Sequence, residues 1–205
     1  MRVWRNSSRA RLRVLWRNPC KCKSYYSHHF NMNYKDNVII WDLGGVVVFV
    51  DESKIPFDYF STNKDWINFE NGKVSDAEFF NKYPKSEGEF NNIFKNNDFV
   101  INLIRELPKV HQYFFSNTNP RHFSFLQNSL DILKTSNVFL SYEMGLRKPD
   151  IESYYFVQQS LNAKNIYFIE DREKNLEIPK KMGWKTFLYH GNNEELAKFI
   201  YDIRP

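Results

Sequence analysis

Residues 38–50, Val-Ile-Ile-Trp-Asp-Leu-Gly-Gly-Val-Val-Val-Phe-Val, constrain the fold more than any other stretch of the chain. An apolar run halts at one carboxylate, passes through two glycines and resumes. β-Branched residues without polar alternation predict a strand buried on both faces, the kind found at the centre of a parallel sheet. Ligands of open α/β sheets bind just beyond the carboxyl ends of such strands, so Asp42 stands where chemistry is commonly done. The alternative is a surface Asp opening a tight turn before Gly44 and Gly45. By itself the stretch leaves both open.

The chain of 205 residues, 42% of them hydrophobic, can fill the core of one α/β domain with a modest insertion. Its formal charge of +5 points to an acidic partner such as nucleic acid only if the charge lies on the folded part. It does not. Eight of the 29 Lys and Arg fall within residues 1–33, which contain no acid, and the remainder holds 21 basic against 24 acidic residues. A nucleic-acid partner is therefore not expected. No membrane span is expected either, since nowhere does the chain approach the ~20 consecutive apolar residues a bilayer requires.

The basic leader carries Arg2, Arg5, Arg9, Arg11, Arg13 and Arg17 with Ser7 and Ser8, and has the composition of an organelle transit peptide. Its longest apolar run, Val14-Leu15-Trp16, is too short for a secretory signal core. The other reading is translated upstream sequence with the natural start at Met32. Location is accordingly expected to be cytoplasmic, or mitochondrial or in another organelle if the leader is a transit peptide. Residues 1–33 are expected to be disordered. Both cysteines, Cys20 and Cys22, lie there beside His28 and His29, in a spacing that does not match a structural zinc site. The body has no thiol chemistry to offer, which suits a reducing compartment.

Residues 51–97 change character. Aromatic-rich apolar positions recur at helical spacing: Phe57, Tyr59 and Phe60; Trp66, Ile67 and Phe69; Phe79, Phe80 and Tyr83; Phe90, Ile93 and Phe94. Ser75 and Glu78 form a capping box with Val74 and Phe79 at the staple positions, Pro84 ends that helix, and Gly72 ends the one before. With no strand signal, the stretch reads as a small helical insertion whose aromatics pack on one another.

An α/β alternation follows. Asp98–Leu107 predicts an amphipathic helix closed by Pro108, and Val110–Phe115 a strand ending in Ser116-Asn117-Thr118-Asn119-Pro120. Asn119 can cap the next helix with Pro120 at its first position, so Ser116 and Asn117 lie where donors can meet an anion, or simply form a capped turn. Val138–Leu140 predicts a third strand, leading through Gly145 to Lys148 at a strand-to-helix junction, with Pro149 opening a helix to Leu161. A lone loop Lys is usually just solvated. Asn165–Ile169 predicts a strand ending in Glu170 and Asp171, adjacent carboxylates that repel unless a cation intervenes, although Asp171 could merely cap the next turn. Regular helix should begin only near Pro179, followed by strand Trp184–Leu188 and helix Glu194–Tyr201.

The order of these strand ends is more specific than any one of them. Asp, then Ser-Asn, then Lys-Pro, then Glu-Asp resembles the four motifs of the haloacid-dehalogenase-like hydrolases, over residues 38 to about 190. The Asp-Leu-Gly-Gly-Val-Val start, Ser-Asn-Thr-Asn, Gly-Leu-Arg-Lys-Pro-Asp and the acidic pair followed by Asn175 look most like the branch of sugar-phosphate phosphatases similar to glucose-1-phosphate phosphatase. The resemblance implies a Rossmann-like α/β three-layer sandwich with a central parallel sheet. Residues 34–50 and 98–205 would form this core and residues 51–97 a helical cap inserted after the first strand.

The activity implied is Mg²⁺-dependent hydrolysis of a small phosphorylated metabolite, such as a sugar phosphate, through an aspartyl-phosphate on Asp42. Asp42, the Gly44 carbonyl, Glu170 and Asp171 would hold the metal, with Asp171 in direct contact. Ser116 and Asn117 would bind the phosphoryl oxygens and Lys148 would neutralise charge. Gly44 stands where most phosphatases of the superfamily carry a second Asp, the proton donor to the leaving group. Two alternatives follow: a haloacid dehalogenase, which would not need the acidic pair for a metal, and a non-catalytic member that binds a phosphorylated ligand or a protein. Substrate identity and oligomeric state are not encoded legibly.

Overall fold

The computed structural model describes residues 35–51, 54, 64–83, 93–107, 111–134 and 137–203, all within one unit, Lys35–Pro205. The basic leader with its Cys and His residues lies outside the described residues, as do Phe57, Tyr59, Phe60, Pro84, Phe90, Pro108 and Val110.

Five parallel strands form the main sheet. They are β1 (Lys35–Trp41), β4 (His111–Ser116), β5 (Asn137–Leu140), β6 (Ala163–Glu170) and β7 (Lys185–Leu188), in the order β5-β4-β1-β6-β7. β1 is the central strand that its composition predicts, and Val38, Ile39, Ile40 and Trp41 are all fully buried. Burying each such side chain contributes about 1.5–3 kcal/mol, so this strand anchors the sheet. The chain runs from β1 outward to β5, then crosses to β6 and β7 on the other side. β1 therefore marks the switch point, and a crevice opens at its carboxyl end.

Alternation sorts the strand residues onto two faces. Ile39, Trp41, Phe114 and Ile169 pack with residues of three helices: Val100, Ile101 and Ile104 of α3 (Asp98–Arg105), Leu126 of α4 (Pro120–Ser129), and Leu196 and Ile200 of α8 (Asn193–Tyr201). The Trp41 indole N–H, which needs a partner when buried, donates to Gln112 at 2.9 Å. On the other face Phe115 meets Tyr154 of α6 (Ile151–Leu161) edge-on at 5.7 Å and Phe139 meets Phe156 at 6.4 Å. Helices on both faces of a parallel sheet make the three-layer α/β architecture expected.

Between β1 and β4 lie α1 (Lys64–Glu70) and α2 (Asp76–Lys82). The Ser75–Glu78 capping box forms, with Ser75 Oγ accepting from the Glu78 N–H at 3.2 Å. Trp66, Phe69, Phe79 and Phe80 make a separate cluster, Phe69 stacking on Phe79 at 4.4 Å, with Val74 packed against it. Gly72 has φ +64 and lies so close to Tyr142 that a Cβ would stand 2.2 Å from its carbonyl oxygen, so no other residue fits.

Three local readings are corrected. Phe94–Asn96 is a strand, β3, pairing antiparallel with β2 (Val48–Val50), where its aromatics had matched helical spacing. Three residues are too few for a period of two to declare itself. Pro149 does not open α6; Asp150 is the N-cap and Ile151 the first helical residue. α7 (Glu177–Lys181) begins two residues before Pro179, after a 3₁₀ turn at Glu173–Asn175. A proline in a first helical turn removes an N–H that has no intrahelical partner there.

Candidate active site

Three strand ends and one interhelical loop converge at the carboxyl edge, Lys148 being separated from its strand by a short helix rather than standing at a strand-to-helix junction. Asp42 follows β1, Ser116 ends β4, Lys148 lies in the loop from α5 (Ser141–Met144) to α6, and Glu170 ends β6 with Asp171 next. Asp42, Gly44, Ser116, Asn117, Lys148 and Asp171 line one cavity of about 600 Å³. Glu170, fully buried, lies behind Lys148 rather than on the cavity wall.

Lys148 is the hinge of the arrangement. Its ammonium reaches Asp42 Oδ2 at 3.0 Å and Glu170 Oε2 at 2.5 Å, and sits 5.1 and 5.3 Å from the ring centres of Phe115 and Phe168. Burial alone would lower its pKa, but the Asp42 and Glu170 carboxylates outweigh burial and raise it, so the ammonium stays charged. The solvated-loop reading fails, because Lys148 is only 2% exposed.

Asn117 does something the sequence did not reveal. Its side-chain amide donates to the Lys148 carbonyl at 2.8 Å and accepts from the Lys148 N–H at 2.9 Å. It thereby clamps the Lys148 backbone, leaving its second amide hydrogen for other work. Ser116, 4% exposed, has its Oγ 3.4 Å from the Asn117 carbonyl oxygen, a weak contact that leaves the hydroxyl nearly uncommitted. Asn119 caps α4, accepting from the His122 N–H at 3.0 Å.

Asp42, Glu170 and Asp171 each present an oxygen within 4.8 Å of the others. Three carboxylates face one ammonium, an imbalance that shows in their proton affinities. Burial, then Glu170, raise Asp42 well above the usual carboxylate range, with Lys148 opposing. Burial and a hydrogen bond with Glu170 push Asp171 up to about 7. Glu170, raised by burial, is brought down to about 2 chiefly by Lys148. Both Glu170 oxygens have protein donors, Lys148 Nζ and the Arg172 N–H at 3.1 Å, and the 3₁₀ turn that follows has no side-chain cap, so Asp171 does not cap it. Asp171 Oδ1, in contrast, is buried without a partner. A buried carboxylate oxygen left bare beside two others is the donor set a hard divalent cation favours. The residues thus fit Mg²⁺.

The two glycines differ. Gly45 has φ +79, and a Cβ on it would fall 2.1 Å from Asp171 Oδ2; the backbone makes room for that carboxylate. At Gly44 a Cβ would meet only Val50 Cγ2, at an ordinary 3.6 Å. Sequence reasoning missed the upper wall: Trp66 and Glu70 of α1, Arg147 and Arg172. Glu70 accepts from Arg147 Nη2 at 2.9 Å, and burial raises its pKa against the pull of Arg147. Asn175, noted only as part of a motif, lines the cavity with a buried Oδ1 that lacks a partner.

Solved structures of haloacid-dehalogenase-family enzymes share this fold. No family model matches the chain. Among individual proteins, it is 24% identical to a D-ribitol-5-phosphate phosphatase of Bacteroides thetaiotaomicron, over 73% of this chain and 89% of that one. A haloacid-dehalogenase-family enzyme of the same organism, crystallised with magnesium and inorganic phosphate, superposes with a TM-score of 0.66 at 23% identity, covering 77% of this chain and 95% of the other. A hydrolase of the same fold from Porphyromonas gingivalis gives 0.71 at 18%, covering 83% and 99%. The L-2-haloacid dehalogenase of Xanthobacter autotrophicus gives 0.55 at 15%, covering 84% and 85%. Among the described residues no helix is long and apolar enough to cross a membrane.

Proposed function

We propose that the protein is a Mg²⁺-dependent phosphoric monoester hydrolase that acts on a small phosphorylated metabolite through an aspartyl-phosphate. The observation that carries this is the bare, buried Asp171 Oδ1 beside Asp42 and Glu170. It asks for a cation that phosphoryl transfer needs and that displacement of halide from carbon does not. The curated relative named as a phosphatase and the relative crystallised with magnesium and phosphate support the same reading.

Asp42 is held for in-line attack. Its Oδ1 accepts from the Leu43 N–H at 2.7 Å and its Oδ2 faces Lys148. The Oδ2–phosphorus bond forms as the ester oxygen departs with its electron pair, and water then cleaves the acyl phosphate, regenerating the carboxylate. Lys148 offsets the repulsion between carboxylate and phosphate dianion, and Ser116 with the free donor of Asn117 hydrogen-bonds phosphoryl oxygens. Bound Mg²⁺ would supply Lewis-acid charge neutralisation, held by Asp42, the Gly44 carbonyl and Asp171, with Glu170 orienting from behind. The substrate class we favour is a sugar or polyol phosphate, on the strength of the D-ribitol-5-phosphate phosphatase.

A panel of phosphate esters with and without Mg²⁺, run beside haloacids, tests this reading. Phosphate release that requires Mg²⁺, with no halide release, is expected. Halide release, or binding of phosphate esters without turnover, would overturn it in favour of a dehalogenase or a non-catalytic binding protein.

A further inference from the structure

The cavity contains a charged pair that phosphoryl transfer does not employ. Glu70 closes α1 and Arg147 immediately precedes Lys148; both line the cavity, and their side chains are only 11% and 18% exposed. As a mere tether between helix and loop the pair would be redundant. The Ser141 hydroxyl already donates to the Glu70 carbonyl at 2.6 Å, and Gly72 already seats the end of α1 on the Tyr142 carbonyl. The pair is also incompletely satisfied. Arg147 engages Glu70 through Nη2 alone; its Nε is enclosed, which leaves the other terminal nitrogen, Nη1, as its uncommitted donor. A carboxylate has about four acceptor sites, and Glu70 shares its own between Arg147 and the Trp66 side chain. One wall of the cavity therefore offers a spare donor and spare acceptors beside the apolar surfaces of Phe49, Trp66 and Phe94.

We infer that Glu70 and Arg147 read hydroxyl groups of the leaving alcohol, selecting monophosphates of neutral, polyhydroxylated alcohols over those whose leaving group carries a second anion. The inference rests on the phosphatase reading and adds the residues that set its specificity. A hydroxyl donates as well as accepts, so neighbouring hydroxyls satisfy Glu70 and Arg147 Nη1 together. A second carboxylate or phosphate would be drawn to Arg147 but would face Glu70 in a partly desolvated site, where like-charge repulsion is strong. An alkyl leaving group would leave Arg147 Nη1 and the spare acceptors of Glu70 desolvated and unpaired. The aromatic walls suit the C–H faces of a sugar or alditol.

Steady-state kinetics of the full chain with Mg²⁺ test this, using phenyl phosphate, an alditol monophosphate, a hydroxyl-free alkyl phosphate of equal length and a phosphorylated sugar acid. Wild-type protein should prefer the alditol phosphate to its hydroxyl-free counterpart. Glu70→Gln and Arg147→Met should each lower kcat/KM for the alditol phosphate by about 10- to 100-fold more than for phenyl phosphate, mainly through KM. Glu70→Gln should also raise the sugar-acid phosphate relative to the alditol phosphate. Equal losses on phenyl and alditol phosphates in folded variants would overturn the inference, assigning the pair to holding α1. Should the variants fail to fold, the wild-type comparison decides alone: turnover of phenyl phosphate without preference for hydroxyls overturns the inference and spares the phosphatase reading. Failure to hydrolyse any phosphate ester overturns both.

Discussion

Lys148 shows how burial turns a common surface residue into chemistry. An ammonium enclosed by Phe115 and Phe168 is tolerable only because Asp42 and Glu170 lie within 3.0 Å of it. Lys148→Met would strand two carboxylates, destabilising the fold by roughly 3–5 kcal/mol as well as removing activity. Lys148→Arg should not restore turnover, because a planar fork cannot occupy the place of a point charge between two rings; near-normal kinetics in either variant would refute this role. At the metal position, Asp171→Asn should raise the Mg²⁺ concentration required for activity and shift to the same higher concentrations the rise in Tm expected when Mg²⁺ binds the native state. An unchanged requirement would move direct contact to Glu170. The sequence shows Gly44 and Gly45 as equals, yet only Gly45 is enforced, by the Asp171 carboxylate. A Cβ on Gly44 meets no clash, so Gly44→Asp would test the general acid that the resemblance implies at this position, whose typical worth is about 10²–10⁴-fold. Turnover of alkyl phosphates, with their basic leaving groups, should rise in that variant, and no change on alkyl esters would mean that another group already supplies the proton.

At the scale of elements, what was legible had local chemistry behind it. Ser75 and Glu78, or Asn119 and Pro120, sit within one turn of what they cap, so their patterns survive without tertiary knowledge. β3 was not legible, because three residues acquire strand identity only from their partner β2. The same limit hid His122. It occupies the first turn of α4, where long-range packing surrounds it with Trp66 at 5.8 Å and Phe94 at 5.0 Å. Burial lowers its pKa to about 3. Below about pH 6.5 the unfolded chain takes up a proton that the folded chain refuses, so stability falls as pH falls, by up to about 1.4 kcal/mol per pH unit, until the folded histidine titrates. Denaturant unfolding at pH 7, 6 and 5 should show wild type losing stability relative to His122→Phe by this amount as pH falls, the opposing contributions of the raised Asp42 and Asp171 being common to both proteins. Identical slopes would mean that His122 is protonated in the fold.

Across the whole molecule, the order of strand ends was readable because a parallel sheet places every carboxyl end on one edge, so four separate polar punctuations become one site. The long-range ion pairs were not readable. Glu70 with Arg147, and Asp76 with Arg121 at 2.6 Å, join residues 77 and 45 positions apart, and no periodicity encodes such pairs. The proposed catalytic residues were therefore visible and the proposed specificity residues were not. The central claim, that Asp42 is the nucleophile of a Mg²⁺-assisted phosphoryl transfer, is tested most directly by phosphate release from wild type and Asp42→Asn across a Mg²⁺ titration. The amide is nearly isosteric and can still accept from the Leu43 N–H, so the fold should persist while turnover falls to no more than a few per cent of wild type at any Mg²⁺ concentration. Release by Asp42→Asn well above that level, or release by wild type that ignores Mg²⁺, would contradict the claim.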